Sequence, residues 1–232
     1  MASESGDHST WAILVAAGSC ERLGADRPKA FVALGERVLL AESLERLDAN
    51  EWIDAVVVAV PEGWEEAAIV LAEELVASKV AAVVTGGATR GESVRAALAE
   101  IPEEAVVVLV HDAARPLVGG DVIERVLQPL AEGYDAVVPG LPLADTVKRV
   151  QAGVVAETVD RSTLVIVQTP QAFTADALRA AYRGDAPLDA TDCASLVEAR
   201  GGRVRVVEGD PRLLKITTPA DLALVESWLA EA

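Results

Sequence analysis

The stretch Ala105-Val106-Val107-Val108-Leu109-Val110-His111-Asp112-Ala113-Ala114-Arg115-Pro116 decides the fold class. Six apolar residues, four of them Val, run without alternation and then give way at once to His, Asp and Arg. A continuous β-branched run of this length reads as a strand covered on both faces, as in a parallel sheet. The polar residues that follow then lie at its carboxyl end, where open α/β sheets bind ligands. The same pattern recurs outward in both directions. Trp11 to Ala17, Ile53 to Val60, Val80 to Thr85, Ala136 to Pro139, Val165 to Gln168 and Val204 to Val207 read as further strands. Helical periods fill the gaps: Val38 to Leu47, Glu62 to Ala77, Arg90 to Ile101, Val122 to Ala131, Leu178 to Tyr182, Ala194 to Arg200 and Pro219 to Leu229. Thr218 before Pro219 is an N-cap with proline at the first helical position. The expected class is α/β, with a mostly parallel sheet and helices on both faces.

One segment breaks the alternation. Thr146 to Val159 holds two short, partly polar, β-rich stretches around Gln151-Ala152-Gly153, which read as a hairpin projecting from the core. A lone two-stranded hairpin is marginal in water, so it is expected to pack on something, either a second subunit or its own domain.

The whole chain narrows the function. Its 232 residues, 51% hydrophobic and 25% charged, suit one domain with a substantial core. No apolar run reaches the length of a membrane span, and Met1 to Thr10 does not read as a secretory leader. Cys20 and Cys193 offer neither a metal spacing nor a disulfide framework, so a reducing, cytoplasmic setting is expected. The net charge of -17 argues against non-specific nucleic-acid binding. It also repels anionic substrates, unless the 20 Lys and Arg residues converge locally.

Several polar clusters follow the strands. Val15-Ala16-Ala17-Gly18-Ser19-Cys20-Glu21-Arg22 leads to Pro28-Lys29. Small residues let the backbone approach a ligand, and Arg22 and Lys29 are the cations a triphosphate needs. The bland alternative is a small-residue turn with two solvated cations. Thr85-Gly86-Gly87-Ala88-Thr89-Arg90-Gly91-Glu92-Ser93 follows a strand and enters a helix. Its amides and the Ser93 hydroxyl can read a base edge, or Thr89 or Ser93 can simply serve the helix start. Asp112 is placed to act near a divalent cation or to fix a substrate hydroxyl, and Arg115 can take a phosphate bidentately; a plain Asp–Arg pair closing a turn is the alternative. His111 reads as a hydrogen-bonded structural residue rather than a base. Lys215, inside the apolar Leu214-Lys215-Ile216, must meet an anion, either an internal carboxylate or a substrate phosphate. Thr191 and Asp192 are candidate caps for the helix after them.

Taken in order, these clusters resemble the 2-C-methyl-D-erythritol 4-phosphate cytidylyltransferase family of the non-mevalonate isoprenoid pathway. The matching motifs are Ala-Ala-Gly with Arg22 and Pro-Lys29, Gly-Gly with Arg90 and Ser93, His-Asp-Ala-Ala-Arg-Pro, Val-Asp-Arg161, Gln-Thr169-Pro-Gln, Thr191-Asp-x-Ala-Ser and Lys215-Ile-Thr. The resemblance implies a Rossmann-like twisted sheet of the nucleotide-diphospho-sugar transferase type with a β-arm at about 141–161. It implies CTP and a sugar-alcohol phosphate as substrates, Mg²⁺ held mainly by the nucleotide phosphates, and a homodimer through the arm. Ala16, Ala17, Gly18 and Ser19 would line the nucleotide site. Gly87, Ala88 and Ser93 would face the cytosine. Arg22, Lys29, Arg161 and Lys215 would be catalytic, with Arg161 given by the partner subunit. Asp112, Arg115, Thr169 and Thr191 would join in holding the sugar phosphate.

The sequence departs from the family pattern at Cys20, where a second loop glycine is usual, at Cys193, where an acidic residue is usual, and at Ala88, where a polar residue is frequent. The alternatives are a ribitol 5-phosphate cytidylyltransferase and a catalytically weakened nucleotide-binding module. His-Asp-Ala-Ala-Arg-Pro and Thr-Asp-Cys-Ala side with methylerythritol phosphate. At 232 residues, the chain is expected to be monofunctional rather than fused to a downstream synthase.

Overall fold

The structure is a computed structural model that describes residues 9–18, 27–184 and 186–231. Alternating side chains along the strands explain its layers. In β1 (Thr10–Val15), Ala12 and Leu14 point to one face of the sheet and Ile13 to the other. The same alternation holds in β4 (Ala55–Val60), β6 (Val107–Asp112) and β7 (Ala136–Pro142). One face is covered by α1 (Leu39–Asp48), α2 (Glu65–Glu74) and α4 (Gly120–Leu127), through Leu40, Leu44, Leu47, Ala68, Ile123 and Val126. The other is covered by α3 (Arg90–Leu98), α5 (Ala175–Ala181) and α6 (Ala194–Ala199), through Val94, Ala97, Leu178 and Val197. Each fully buried Leu or Ile contributes about 1.5–3 kcal/mol, so two continuous apolar layers dominate the stability. A smaller cluster, Leu34, Leu39, Leu117, Ile216 and Val225, seats α7 (Pro219–Ala230).

The sheet runs β5 (Val80–Thr85), β4, β1, β6, β11 (Gln171–Thr174), β7, with β12 (Val204–Glu208) on the far side of β7. All are parallel except β11 and β10 (Val165–Val167), which run along one edge of β7 in the opposite sense. The chain moves from β1 toward β5 on one side and to β6 on the other, so a topological switch point lies between β1 and β6. The register levels the strand ends there: Val15 pairs with Ala59 and with Asp112, and Val60 pairs with Thr85. Three loops therefore leave the sheet at one height.

Three short strands exceed the sequence expectation. The four residues of β11 sit between Pro170 and the cap of α5, too short to show a period of their own. A small antiparallel pair, β2 (Ala33–Leu34) and β3 (Arg37–Val38), precedes α1. The helix expected over Val122 to Ala131 splits at Leu127, continuing as a 3₁₀ turn over Gln128–Glu132, because Pro129 has no N–H for the ladder. Thr218 caps α7 with Asp221 in a reciprocal box, behind Pro219.

The hairpin is present as β8 (Val147–Gln151) and β9 (Val154–Val159), which pair only with each other. Ala152 and Gly153 both have positive φ, +48° and +80°, the twist that suits a tight hairpin turn. Val150, Val154 and Val155 stand exposed on it, and Val165, Ile166 and Val167 of β10 are exposed as well.

Candidate functional site

The three level loops enclose a cavity of about 320 Å³ at the carboxyl ends of β1, β5 and β6. Its first wall is Ala16, Ala17 and Gly18, joined by Lys29 and Ala30. Ala16 N–H donates to Ala59 O at 2.7 Å and Lys29 N–H to Gly18 O at 3.4 Å, which ties the loop to the sheet. Ser19, Cys20 and Arg22 lie outside the described residues.

The second wall is Gly87, Ala88, Thr89, Arg90 and Ser93. Thr89 caps α3: Glu92 N–H donates to Thr89 Oγ1 at 3.1 Å, and Thr89 N–H donates to Glu92 Oε2 at 3.0 Å. Ser93 Oγ accepts from Gly87 N–H at 3.1 Å and donates to Thr89 O at 2.9 Å. The hydroxyl expected at a base edge sets the shape of the glycine loop. A side chain at Gly86 would run into Ala17 Cβ and Ser93 Oγ, so glycine there lets the two walls touch.

The third wall is Asp112, Ala113, Ala114 and Lys215. Lys215 Nζ donates to Asp112 Oδ2 at 2.7 Å, and Arg90 Nε donates to Oδ1 at 2.9 Å. Burial works against the Asp112 charge, yet Arg90 and Lys215 outweigh it and hold the carboxyl well below its usual range. Asp112 is therefore ionised at any working pH. The anion required by Lys215 is this internal carboxylate, and Lys215 itself still lines the cavity.

Behind that wall lies a buried polar chain. Asp112 N–H donates to Thr169 Oγ1 at 3.1 Å, Thr169 Oγ1 lies 3.2 Å from His111 Nδ1, and His111 Nε2 lies 3.0 Å from Arg115 O. A neutral imidazole with its proton on Nε2 satisfies every contact. Burial pushes the His111 pKa down to about 4, which agrees with that state. His111 is a structural residue here. Arg115 Nη1 donates to Leu213 O at 2.6 Å, which anchors the segment that carries Lys215.

The sequence-derived candidates therefore divide. Ala16, Ala17, Gly18, Lys29, Gly87, Ala88, Ser93, Asp112 and Lys215 line one cavity. Thr169 and Arg115 sit just behind it, in contact with Asp112 and Leu213. Thr191 is exposed ahead of α6, while Asp192 accepts from Ser195 N–H at 3.1 Å, the capping role. Arg161 is exposed in a 3₁₀ turn after the hairpin and does not line the cavity. Arg90 lines the cavity as well, a residue to which the sequence motifs give no role of its own. Its position, first in the helix after a glycine-rich loop, was the available signal.

Comparison with solved structures defines the class. The 4-diphosphocytidyl-2C-methyl-D-erythritol synthase of Anaerococcus prevotii superposes with a TM-score of 0.82 at 25% identity, covering 96% of this chain and 98% of its own. The 2-C-methyl-D-erythritol 4-phosphate cytidylyltransferase of Thermus thermophilus gives 0.77 at 36% identity, covering 95% and 98%. The fold is that of an α/β nucleotidyltransferase. Among curated relatives, the 2-C-methyl-D-erythritol 4-phosphate cytidylyltransferase of Nocardia farcinica is 50% identical, covering 96% of this chain and 95% of the relative. That of Saccharopolyspora erythraea is 47% identical, covering 96% and 100%. The model of the 2-C-methyl-D-erythritol 4-phosphate cytidylyltransferase (IspD) family matches residues 10–231, and the chain belongs to that family.

Proposed function

We propose that this protein joins CTP to 2-C-methyl-D-erythritol 4-phosphate, giving 4-diphosphocytidyl-2-C-methyl-D-erythritol and pyrophosphate. The observation that carries this reading is a cavity of about 320 Å³ with two small-residue walls, lined also by Lys29 and Lys215 in a chain of net charge -17. A cytidylyltransferase for ribitol 5-phosphate is not favoured, because the family model and the curated relatives point to methylerythritol phosphate.

In this reading an oxygen of the 4-phosphate attacks the α-phosphorus of CTP. The bond from that phosphorus to the β-phosphate's bridging oxygen breaks, and pyrophosphate leaves. A phosphate monoester has its second pKa at about 6, so it is already a nucleophile near neutral pH. No general base is needed, which agrees with the neutral, enclosed His111. The protein's work is to position two polyanions and offset their repulsion. Ala16, Ala17, Gly18 and Ser19 hold the nucleotide, while Gly87, Ala88 and Ser93 face the base. Arg22 and Lys29 stabilise the charge that develops at the α-phosphate. Lys215 and Arg161 aim the attacking phosphate, and Asp112, with Arg115, Thr169 and Thr191, orders the sugar end.

Mg²⁺ is handled through the substrate. Among the described residues no group of three or more His, Cys, Asp or Glu side chains is gathered for a metal. Asp112, the one acidic side chain on the cavity wall among them, already pairs with two cations. We read the divalent ion as one that would sit mainly on phosphate oxygens and water. No step here is assigned to it.

The hairpin is read as the arm of a homodimer. Exposed Val150 and Val155, paired across the hairpin beside exposed Val154, and the consecutive exposed Val165, Ile166 and Val167 on β10 support that reading, since contiguous exposed apolar side chains mark interaction sites. Arg161 at the foot of the arm would then serve a neighbouring subunit. Among the described residues no helix is long and apolar enough to cross a membrane. An enzyme that consumes CTP belongs where CTP is held, and we read this one as cytoplasmic.

The deciding experiment is pyrophosphate release from CTP with Mg²⁺, with methylerythritol 4-phosphate and ribitol 5-phosphate in parallel. Release with the first alone is expected. Release with the second alone keeps the chemistry and overturns the substrate. Silence with both in a folded protein leaves a nucleotide-binding module.

A further inference from the structure

Arg90 opens α3, and its guanidinium is held in an unusual way. Nε donates to Asp112 Oδ1 at 2.9 Å, Nη1 donates to Cys193 Sγ at 3.1 Å, and Nη2 is buried with no hydrogen-bond partner. Cys193 lies fully buried at the start of α6, and its sulfur is also 3.2 Å from the Tyr182 hydroxyl at the end of α5. A chain of polar contacts thus runs Tyr182, Cys193, Arg90, Asp112, Lys215, from the helical layer to the cavity wall.

Guanidinium–carboxylate pairs are frequently bidentate, with both carboxylate oxygens taken in a parallel fork. Here the Asp112 carboxylate is divided, one oxygen to Arg90 and the other to Lys215. The division fixes the carboxylate plane from both sides and leaves Arg90 short of acceptors. The thiol and the phenol supply the missing support. Burial pushes both of their pKa values up, so they hold Arg90 as neutral groups. Two cations on one carboxylate also leave positive charge at the wall where a phosphate is to bind.

We propose that Arg90 is a positioning residue of the transfer reaction, fixing the Asp112 carboxylate for the sugar phosphate, and that Cys193 and Tyr182 act through Arg90 by bracing its guanidinium. The proposal rests on the cytidylyltransferase reading above and deepens its sugar-phosphate half.

The test compares wild type with Arg90→Lys, Cys193→Ala and Cys193→Ser. kcat/KM is measured for methylerythritol 4-phosphate at saturating CTP, and CTP binding is measured alone by calorimetry. A lysine cannot reach Asp112 and Cys193 together. Arg90→Lys is expected to lower kcat/KM for the sugar phosphate about 10–100-fold, the loss typical of a charge-assisted contact, with the CTP dissociation constant within about threefold. Cys193→Ala is expected to lose about 3–10-fold in the same sense, and Cys193→Ser to restore most of it by returning an acceptor. Arg90→Lys with wild-type kcat/KM, or a loss shared equally with CTP binding, overturns the proposal. Cys193→Ser no better than Cys193→Ala overturns the bracing role. If Arg90→Lys fails to fold, the Cys193 pair decides. A wild type inactive on methylerythritol 4-phosphate overturns the function itself, a result distinct from an active wild type with an indifferent Arg90→Lys.

Discussion

Lys215 Nζ reaches Asp112 Oδ2 at 2.7 Å although 103 residues separate the two in the chain. The segment after β12 is brought to the end of β6 by two hydrogen bonds: Ile216 N–H donates to Ala114 O at 2.8 Å, and the Arg115 side chain donates from Nη1 to Leu213 O. The cavity wall is therefore closed by the last strand-to-helix connection, on an ion pair whose acid is buried and whose base is partly open.

The two members of that pair should respond differently. Lys215→Met leaves Asp112 with Arg90 and removes a partly exposed group, so stability should hold while kcat/KM for the sugar phosphate falls about 10²–10³-fold. Asp112→Asn leaves Arg90 buried without its counter-charge, which costs about 3–5 kcal/mol when a buried pair is broken. Urea denaturation beside steady-state kinetics separates the two; equal stability losses would contradict the arrangement.

Lys29 lies on the nucleotide side of the same cavity. Lys29→Ala should lower kcat by about 10²–10³-fold, the usual effect of losing one preorganised charge-stabilising group. Arg22→Ala should behave alike. Wild-type kcat in both variants would remove the proposed roles at the α-phosphate.

His111 links acidity to stability. Its folded pKa of about 4 is below the ordinary 6.5, so the unfolded chain binds the extra proton between those values. The contribution of about 3 kcal/mol is complete above pH 6.5 and is lost as pH falls through 4. Denaturant midpoints from pH 7 to 4 should show this loss, and His111→Gln should flatten the curve. An equally steep curve in the variant would place the proton elsewhere.

Gly86 is where two loops meet. Gly86→Ala would force apart Ala17 and Ser93, whose hydroxyl holds Gly87. CTP affinity should fall at least tenfold while the sheet stays folded, since the clash lies at the strand end. Calorimetric titration with CTP checks this; unchanged affinity would mean that the walls need not touch.

The arm offers a test of assembly. Val154 is 70% exposed on β9. Val154→Lys should shift sedimentation from dimer to monomer at micromolar concentration with no loss of thermal stability in the sheet. Arg161→Ala should spare assembly and CTP binding but weaken use of the sugar phosphate. A wild type that sediments as a monomer would refute the arm reading.

Much of this was legible in the residues. Continuous Val-rich runs mark strands buried on both faces, because each face needs apolar cover, and the polar residues just after them mark the strand ends. Thr218-Pro219 and the Gln151-Ala152-Gly153 turn could be read because capping and tight turns are local chemistry. β11 could not, because its four residues owe their strand form to β6 and β7 on either side rather than to any pattern of their own.

By itself the sequence determined the α/β class, the alternation of the long strands with their helices, the hairpin, and the loops whose small residues and lysines meet at the cavity. Those features depend on neighbours within a few positions, or on a period of two or 3.6. Only the tertiary structure decided that Lys215 faces Asp112, that Arg90 is braced by Cys193 and Tyr182, and that Thr169 and Arg115 stand behind the wall. Each of these contacts joins ends of strands, helices or loops that meet only through the register of the sheet's backbone hydrogen bonds and the packing of α3, α5 and α6 on it, which no single stretch of sequence contains.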